Sequence, residues 1–376
     1  MYKSFRYKAK ISKTTEKTCF RWLDLCRTLY NAALEQKMTN YKQFGKSMTT
    51  FDQIKQLPEM KREFTEFKEI DSGCLQWVIE RLHFAYNKFF QRLRERKQKS
   101  GFPKFKGKDE FTSFILKHQG WKLEGRNLYI TKVGRFKLFL SRPIEGRIKT
   151  VNVKREPTED WFVTFVCDVE LQPPLVKKNQ DVGIDIGLIN ICADSTGRII
   201  KNPEFFEQNK KILRRQERNF SRKKRGSKRY YTSRKLIAKT YAKISNQRKD
   251  FLHKLSKEFV DNFDNIFVEK LDMEPLVKTP TMRGKINKAG WANFLFYLKY
   301  KAVWNGRNFA EVPPYYTTQN CSHCGYNVKK HHGERIHDCP KCKIMLDRDV
   351  NAAINILRLG QSRQVIIAPV RDDLST

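Results

Sequence analysis

The sequence predicts an α+β multidomain protein: a small β-barrel interrupted by a helical insertion, then a second region of strands and helices that carries a zinc ribbon. Three observations lead there. A strand pattern at residues 2–11 precedes two helical patterns, and a run of short strand patterns between Phe111 and Leu171 follows them. The texture changes at residue 181, where apolar runs bearing single acids begin to alternate with long helical stretches. Finally, Cys321/Cys324 and Cys339/Cys342 form two CxxC pairs separated by fourteen residues.

In chain order, residues 2–11 alternate polar and apolar side chains, the period of an edge strand. From Thr18 to Met38, Leu23, Tyr30, Ala33 and Leu34 recur at helical spacing. A stronger helix spans about Ser72 to Arg96, with Leu75, Ile79, Leu82, Tyr86, Phe89 and Leu93 on one stripe. Its other face carries Arg81, Lys88, Arg92, Arg94 and Arg96, a sign bias suited to a polyanion. SGFPKF (100–105) breaks the helical pattern with Gly and Pro. LYITKV, RFKLFL, KTVNVKRE and WFVTFVCDVEL supply the strands of the barrel, and PPLVKKNQ (173–180) reads as a linker. DVGIDIGLINICADSTGRII (181–200) reads as a two-stranded hairpin with DSTG as its turn. Residues 210–257 hold 19 Lys or Arg against two acids, with apolar residues interspersed, so they read as helices joined by the basic turn SRKKRGSKRYY. NIFVEKLDM (265–273) is a buried strand ending in acids, residues 291–309 an apolar-rich helix, and the last residues a loose tail.

Charge narrows the partners. The chain has 376 residues, with 76 Lys plus Arg against 40 Asp plus Glu, a formal net charge of +36. Such an excess repels itself unless a polyanion neutralises it, so nucleic acid is the default partner. No apolar run reaches the ~18 residues of a membrane span, and MYKSFRYKAKI has no signal-peptide core. A cytoplasmic, nucleoid-associated protein is expected, with no membrane partner. In that reducing compartment Cys19, Cys26, Cys74, Cys167 and Cys192, scattered among apolar neighbours, read as small core residues.

Two constellations carry chemistry. Paired CxxC turns bring four thiolates to one tetrahedral ion, so Cys321, Cys324, Cys339 and Cys342 predict a closed, structural Zn²⁺ site. A complete thiolate set leaves the neighbouring His323, His331, His332 and His337 unneeded, and they read as surface or RNA-facing groups. The catalytic candidates are Asp185 within GIDIGL, Glu269 at the end of NIFVE, and Asp349 at the head of NAAINIL. A carboxylate inside an apolar run is costly unless compensated. Three such acids, if a sheet and an adjoining helix converge, can hold two Mg²⁺ ions for phosphodiester hydrolysis. Asp347 competes with Asp349, and a helix cap is its structural alternative.

At these residues the chain resembles the TnpB family, transposon-encoded RNA-guided DNA endonucleases related to the CRISPR type V effectors. GIDIGL, VEKL, CSHCGY with CPKC, and DRDVNAAINIL carry the resemblance; LYNAAL, GFPKF, SRKKRGS, RKDFLHKL and KAGWANFLFYLKYKAVWNGR add to it. The resemblance implies an RNase H-like RuvC nuclease domain (181–315 and 345–360) interrupted by the ribbon (316–344). It also implies a wedge-type β-barrel (1–14 and 106–178), an inserted helical recognition lobe (15–105) and a flexible tail (361–376). It assigns the nuclease acids to Asp185, Glu269 and Asp349, the second acid of DRD. The partners it implies are a guide RNA from the transposon end and a double-stranded DNA target beside a short adjacent motif. Phe51, Ser72, Gln76 and residues of 111–116 are then candidates for reading that motif, and Arg222, Lys223, Lys224 and Arg225 for holding nucleic acid backbone. Two alternatives remain open: a catalytically silent RNA-guided repressor on the same scaffold, and a DDE-type transposase, which binds transposon ends without RNA.

Overall fold

The computed structural model describes residues 1–95, 101–117, 119–170, 173–271, 279–314, 316–330 and 333–362. Arg96, Met273, His331, His332 and the tail beyond 362 lie outside them. The chain divides into two units, Met1–Glu170 and Leu171–Thr376.

In the first unit, β1 (Tyr2–Ile11) leads into α1 (Lys13–Phe44). Ser12 caps α1 by accepting the Thr15 N–H at 3.1 Å, and Gly45, at φ +66°, closes it. The helix outruns the expected 18–38 at both ends because its terminal turns are polar and lack periodicity; the caps set its limits instead. Two short helices follow, α2 (Thr50–Lys55) and α3 (Leu57–Glu63). Then comes α4 (Ser72–Arg94), capped by Asp71. The strands are β2 (Ser113–Leu116), β3 (Trp121–Glu124), β4 (Asn127–Ile130), β5 (Gly134–Phe139), β6 (Arg147–Arg155) and β7 (Trp161–Asp168). They form one antiparallel sheet with β1, in the order β2-β6-β7-β1-β5-β4-β3.

This is a half-barrel, and the expected closed barrel is corrected. Its edge strands β2 and β3 are four residues each and pair with β6 and β4, not with each other. Helix packing takes the place of closure. Trp22 and Phe114 rings meet at 5.3 Å, and Cys26, Leu34, Leu75 and Ile79 share one core with Phe5, Phe136 and Phe165.

In the second unit, β8 (Asp181–Ile186), β9 (Asn190–Asp194) and β10 (Ile199–Lys201) precede the basic helices α5 (Phe205–Ser221) and α6 (Lys228–Asn262). The two-stranded hairpin is thus corrected to three strands. DSTG joins β9 to β10, with Asp194 Oδ1 accepting the N–H groups of Thr196 and Arg198 and Gly197 at φ +94°. The earlier turn at Gly187 is hidden in sequence by the apolar run around it. Trp291 holds that turn by donating Nε1–H to Gly187 O at 2.8 Å.

After β11 (Asn265–Glu269) come α7 (Pro280–Ala289), α8 (Trp291–Trp304) and β12 (Asn308–Val312). The helix expected over 291–309 therefore stops early. Gly306, at φ +67°, turns the chain so that Phe267 pairs with Ala310 in parallel. The sheet order is β10-β9-β8-β11-β12, with β8, β11 and β12 parallel and each parallel link crossed by helices. The supposed linker 173–180 is tied down: Leu175 N–H bonds Asn305 O, and Lys178 and Asn179 N–H groups bond the Asp264 carboxylate.

The ribbon strands β13 (Ile336–Asp338) and β14 (Met345–Asp347) run into α9 (Arg348–Ser362), which lies directly on β8. Glycine permits that approach. A Cβ on Gly183 would stand 2.2 Å from the Ala353 carbonyl oxygen, and one on Gly360 would stand 2.2 Å from the Phe267 ring. All five scattered cysteines are buried, as expected. No helix among the described residues is long and apolar enough to cross a membrane.

Candidate active site and metal centre

Three elements deliver the three carboxylates. Asp185 is the penultimate residue of β8, Glu269 the last of β11, and Asp349 the second of α9. Parallel pairing of Ile184 with Val268 sets Asp185 and Glu269 at the same end of adjacent strands. The first turn of α9 adds Asp349. Burial, and then the charges of Asp349 and Glu269, push the Asp185 carboxyl well above the usual carboxylate range; Arg348 offsets part of this. Burial also raises Glu269, while Thr317 opposes the rise by donating Oγ1–H to its Oε1 at 3.4 Å.

Asp349 is 5% exposed and carries its own compensation. It accepts from Arg335 Nη1 at 2.9 Å, Arg348 Nη2 at 3.1 Å and Asn190 Nδ2 at 3.3 Å. Asp347 does different work. Its Oδ1 accepts the N–H groups of Asp349 at 2.8 Å and Val350 at 3.4 Å, capping α9. The two acids of DRD are therefore divided between cap and cluster. A buried carboxylate whose ionised form is opposed by burial and by two like charges fits a hard divalent cation such as Mg²⁺.

The thiolates are more tightly gathered. Cys321 and Cys342 sulfurs lie 3.6 Å apart, as do those of Cys324 and Cys339. All four Sγ atoms fall within 4.8 Å of one another. Tetrahedral Zn²⁺ with Zn–S bonds near 2.3 Å needs sulfurs about 3.8 Å apart, so the set fits zinc. Each CxxC closes as a knuckle, Gly325 N–H to Cys321 O at 2.9 Å and Lys343 N–H to Cys339 O at 2.8 Å. The residue after each second cysteine is left-handed, Gly325 at φ +73° and Lys343 at φ +58°. Burial disfavours a Cys339 thiolate, but hydrogen bonds from the N–H groups of Cys342 and Lys341 and from the Cys342 and Cys324 side chains together bring the thiol down to about 6. Among the described residues this is the one group of three or more Cys, His, Asp or Glu drawn so close. Asp185 feels the charges of Asp349 and Glu269, but the three carboxylates are not packed to that degree.

Two asparagines one helical turn apart fasten ribbon to acids. Asn351 accepts the Ser322 N–H at 2.8 Å and donates to Asn320 O at 2.9 Å. Asn355 donates to Thr317 O at 2.8 Å and Asn320 O at 2.7 Å. These residues, with Asn190 and Arg335, escaped the sequence reading; the Asn spacing of four within NAAIN was the available signal. His337 is a correction. It is fully buried, because alternation along β13 turns it inward between exposed Ile336 and Asp338.

The nucleic-acid candidates fall on two surfaces. Phe51 in α2 is 64% exposed, with Lys55 Nζ 4.4 Å from its ring. Ser72 opens α4 and accepts from Lys61 Nζ at 2.7 Å; Gln76 follows one turn later, half-buried. In the second unit Arg222, Lys223, Lys224 and Arg225 make the turn between α5 and α6. Lys223 lines a cleft of ≈ 490 Å³ there with Asn219, Lys228, Arg229, Thr232 and Ser233.

The fold has a solved counterpart. It is similar to the protein in the cryo-EM structure of the Cas12f1–sgRNA–target DNA complex, with TM-score 0.58 and 15% identity over 95% of this chain and 98% of that one. Residues 164–279 match the family model OrfB_IS605, described as "Probable transposase", and residues 291–356 match that of the Cas12f1-like TNB domain. Among curated relatives, "Putative RNA-guided DNA endonuclease InsQ" of Escherichia coli (strain K12) is 27% identical, covering 96% of this chain and 92% of the relative. A "Putative RNA-guided DNA endonuclease" of Streptomyces pristinaespiralis is 28% identical over 95% and 89%. "TnpB-like protein MJ0751" of Methanocaldococcus jannaschii is 29% identical over 50% of this chain and 72% of its own. The fold is thus of the Cas12f type. Its sequence matches are to putative RNA-guided DNA endonucleases and TnpB-like proteins.

Proposed function

We propose that the protein is an RNA-guided DNA endonuclease of an insertion sequence, cutting DNA that pairs with a transposon-end guide RNA beside a short adjacent motif. The observation that supports this reading is the buried Asp185 on β8, which feels the charges of Glu269 on β11 and Asp349 on α9, in a unit that also carries a tetrathiolate centre. In this reading residues 1–14 and 106–178 form the wedge, 15–105 the recognition lobe, and 181–315 with 345–360 a RuvC-type domain. The Cys321, Cys324, Cys339 and Cys342 ribbon holds Zn²⁺ as a clasp with no open coordination position. Asp185, Glu269 and Asp349 are the residues that would hold Mg²⁺, as a two-ion site. A metal bound there would supply Lewis-acid activation of a water and charge stabilisation for the leaving oxygen. The chain's own part is to place three carboxylates on rigid elements, with Arg335 and Arg348 beside Asp349 to meet phosphate charge. The α5–α6 cations contribute to the electropositive channel an RNA–DNA heteroduplex needs.

Relatives named as RNA-guided DNA endonucleases along nearly the whole chain support the reading. The family model's description favours a second one, a transposase binding transposon ends without RNA. One experiment separates them: purify the protein with its flanking transcript, sequence the bound RNA, and assay Mg²⁺-dependent cleavage of matched DNA. A defined RNA, with cleavage abolished by Asp185→Asn, is expected. End binding without RNA would establish the transposase.

A further inference from the structure

Two motifs of the first unit take no part in this chemistry, LYNAAL (29–34) on α1 and GFPKF (101–105) after α4. Asn31 joins them. Its Nδ2 donates to Lys106 O at 3.0 Å and its Oδ1 accepts the Lys106 N–H at 2.7 Å, so one side chain pins both backbone groups of Lys106. Phe102 meets Tyr86 and Phe89 edge-on at 5.4 and 5.3 Å. A segment with neither helix nor strand is thereby held on two helices as a strap.

The strap and the end of α4 hold apolar groups outward. Phe102 and Phe105 are 42% and 51% exposed, and Phe90 and Leu93 on α4 are 51% and 48% exposed. Residues 84–95 and 101–110 also contain Lys88, Arg92, Arg94, Lys104, Lys106 and Lys108 against Glu95, Asp109 and Glu110, and Glu110 is taken up by the Gly107 N–H at 2.9 Å. An apolar patch of this kind marks an interaction surface. Its net positive charge disfavours a second copy of itself, because like surfaces repel. Aromatic faces among cations match the bases and phosphates of an unpaired nucleic acid strand.

We infer that the strap and the end of α4 form a stacking platform for unpaired bases of the guide RNA, an inference that rests on the guided reading above. RNA is the strand selected because exposed aromatic surface needs cover throughout the particle's life, and a guided enzyme keeps its guide while target DNA comes and goes.

The test uses full-length protein freed of RNA, with guide-RNA affinity measured by filter binding at fixed salt. Leucine keeps apolar bulk and loses the ring. The pair Phe90→Leu with Phe105→Leu should weaken guide binding by about tenfold or more, with the melting temperature of the free protein unchanged. Phe105→Trp, which enlarges the ring, should bind at least as tightly as wild type. Unchanged guide affinity in the leucine pair would overturn the platform. Weakening seen only in target DNA binding by the assembled particle would also overturn it, as would a wild-type dimer that the leucine pair dissociates with guide affinity intact. Wild type that binds no guide RNA would instead defeat the guided reading itself.

Discussion

Gly183→Ala tests the contact on which the acid cluster depends. The added methyl would stand 2.2 Å from Ala353 O and 2.5 Å from Leu357 N, both backbone atoms of α9. Ordinary contact begins near 3.4 Å, so α9 must retreat by about 1.2 Å, and no side-chain rotation can relieve the clash. Overpacking of this kind costs about 1–3 kcal/mol. Asp349 rides on the first turn of α9 and would move away from Asp185 on β8. A misplacement near 1 Å costs about 100-fold in rate. Thermal melting and single-turnover cleavage with saturating guide are the assays: melting should fall by several degrees and cleavage about 100-fold, with zinc retained. Gly284→Ala is the matched control, since its methyl meets nothing within 4 Å and it lies inside α7, where Ala gains up to about 1 kcal/mol. A Gly183→Ala protein that melts and cuts like wild type would refute both the close approach of α9 and its role in placing Asp349.

Other perturbations follow from the same geometry. Cys339→Ser removes one of four thiolates and should release zinc while loosening the Asn351 and Asn355 contacts; metal analysis showing full zinc would contradict the site. Arg307→Met leaves the part-buried Asp264 without its cation and should cost about 3–5 kcal/mol by urea unfolding; a loss below about 1 kcal/mol would mean the pair behaves as an exposed one. Burial pushes the Lys301 ammonium down from the ordinary 10.5 to about 8. The folded form then binds fewer protons than the unfolded chain, so this group's contribution is full above pH 10.5 and lost as pH falls through about 8. The stability difference between wild type and Lys301→Met should change across that window in urea titrations, and a constant difference would exclude the shift.

Some of this was legible from short-range pattern. Paired CxxC spacing predicts four gathered sulfurs because each knuckle is local geometry, closed within five residues. The NIFVE strand, the α5–α6 pair and the basic turn between them show equally in hydrophobic period and charge. Other features were hidden for physical reasons. The apolar run around Gly187 looks continuous, and only Trp291, far along the chain, holds its turn. The half-barrel reads as a barrel because closure depends on whether β2 meets β3, which strand periodicity does not report. Nor does pattern distinguish the exposed His323 from the buried His337; which face of β13 is covered decides it.

Sequence alone determined the partner class through a net charge of +36, the thiolate centre through spacing, and the carboxylates worth considering through their apolar surroundings. Tertiary structure decided where they stand. The parallel register of β8 and β11 brings Asp185 and Glu269 to one sheet end, Gly183 lets α9 lie against β8, and the backbone turn at DRD makes Asp347 a cap and Asp349 a member of the cluster. Acids 84 and 80 positions apart have no local reason to meet, and a burial penalty on each opposes it. Their approach is set by pairing and packing, long-range terms that exist only once the chain has folded.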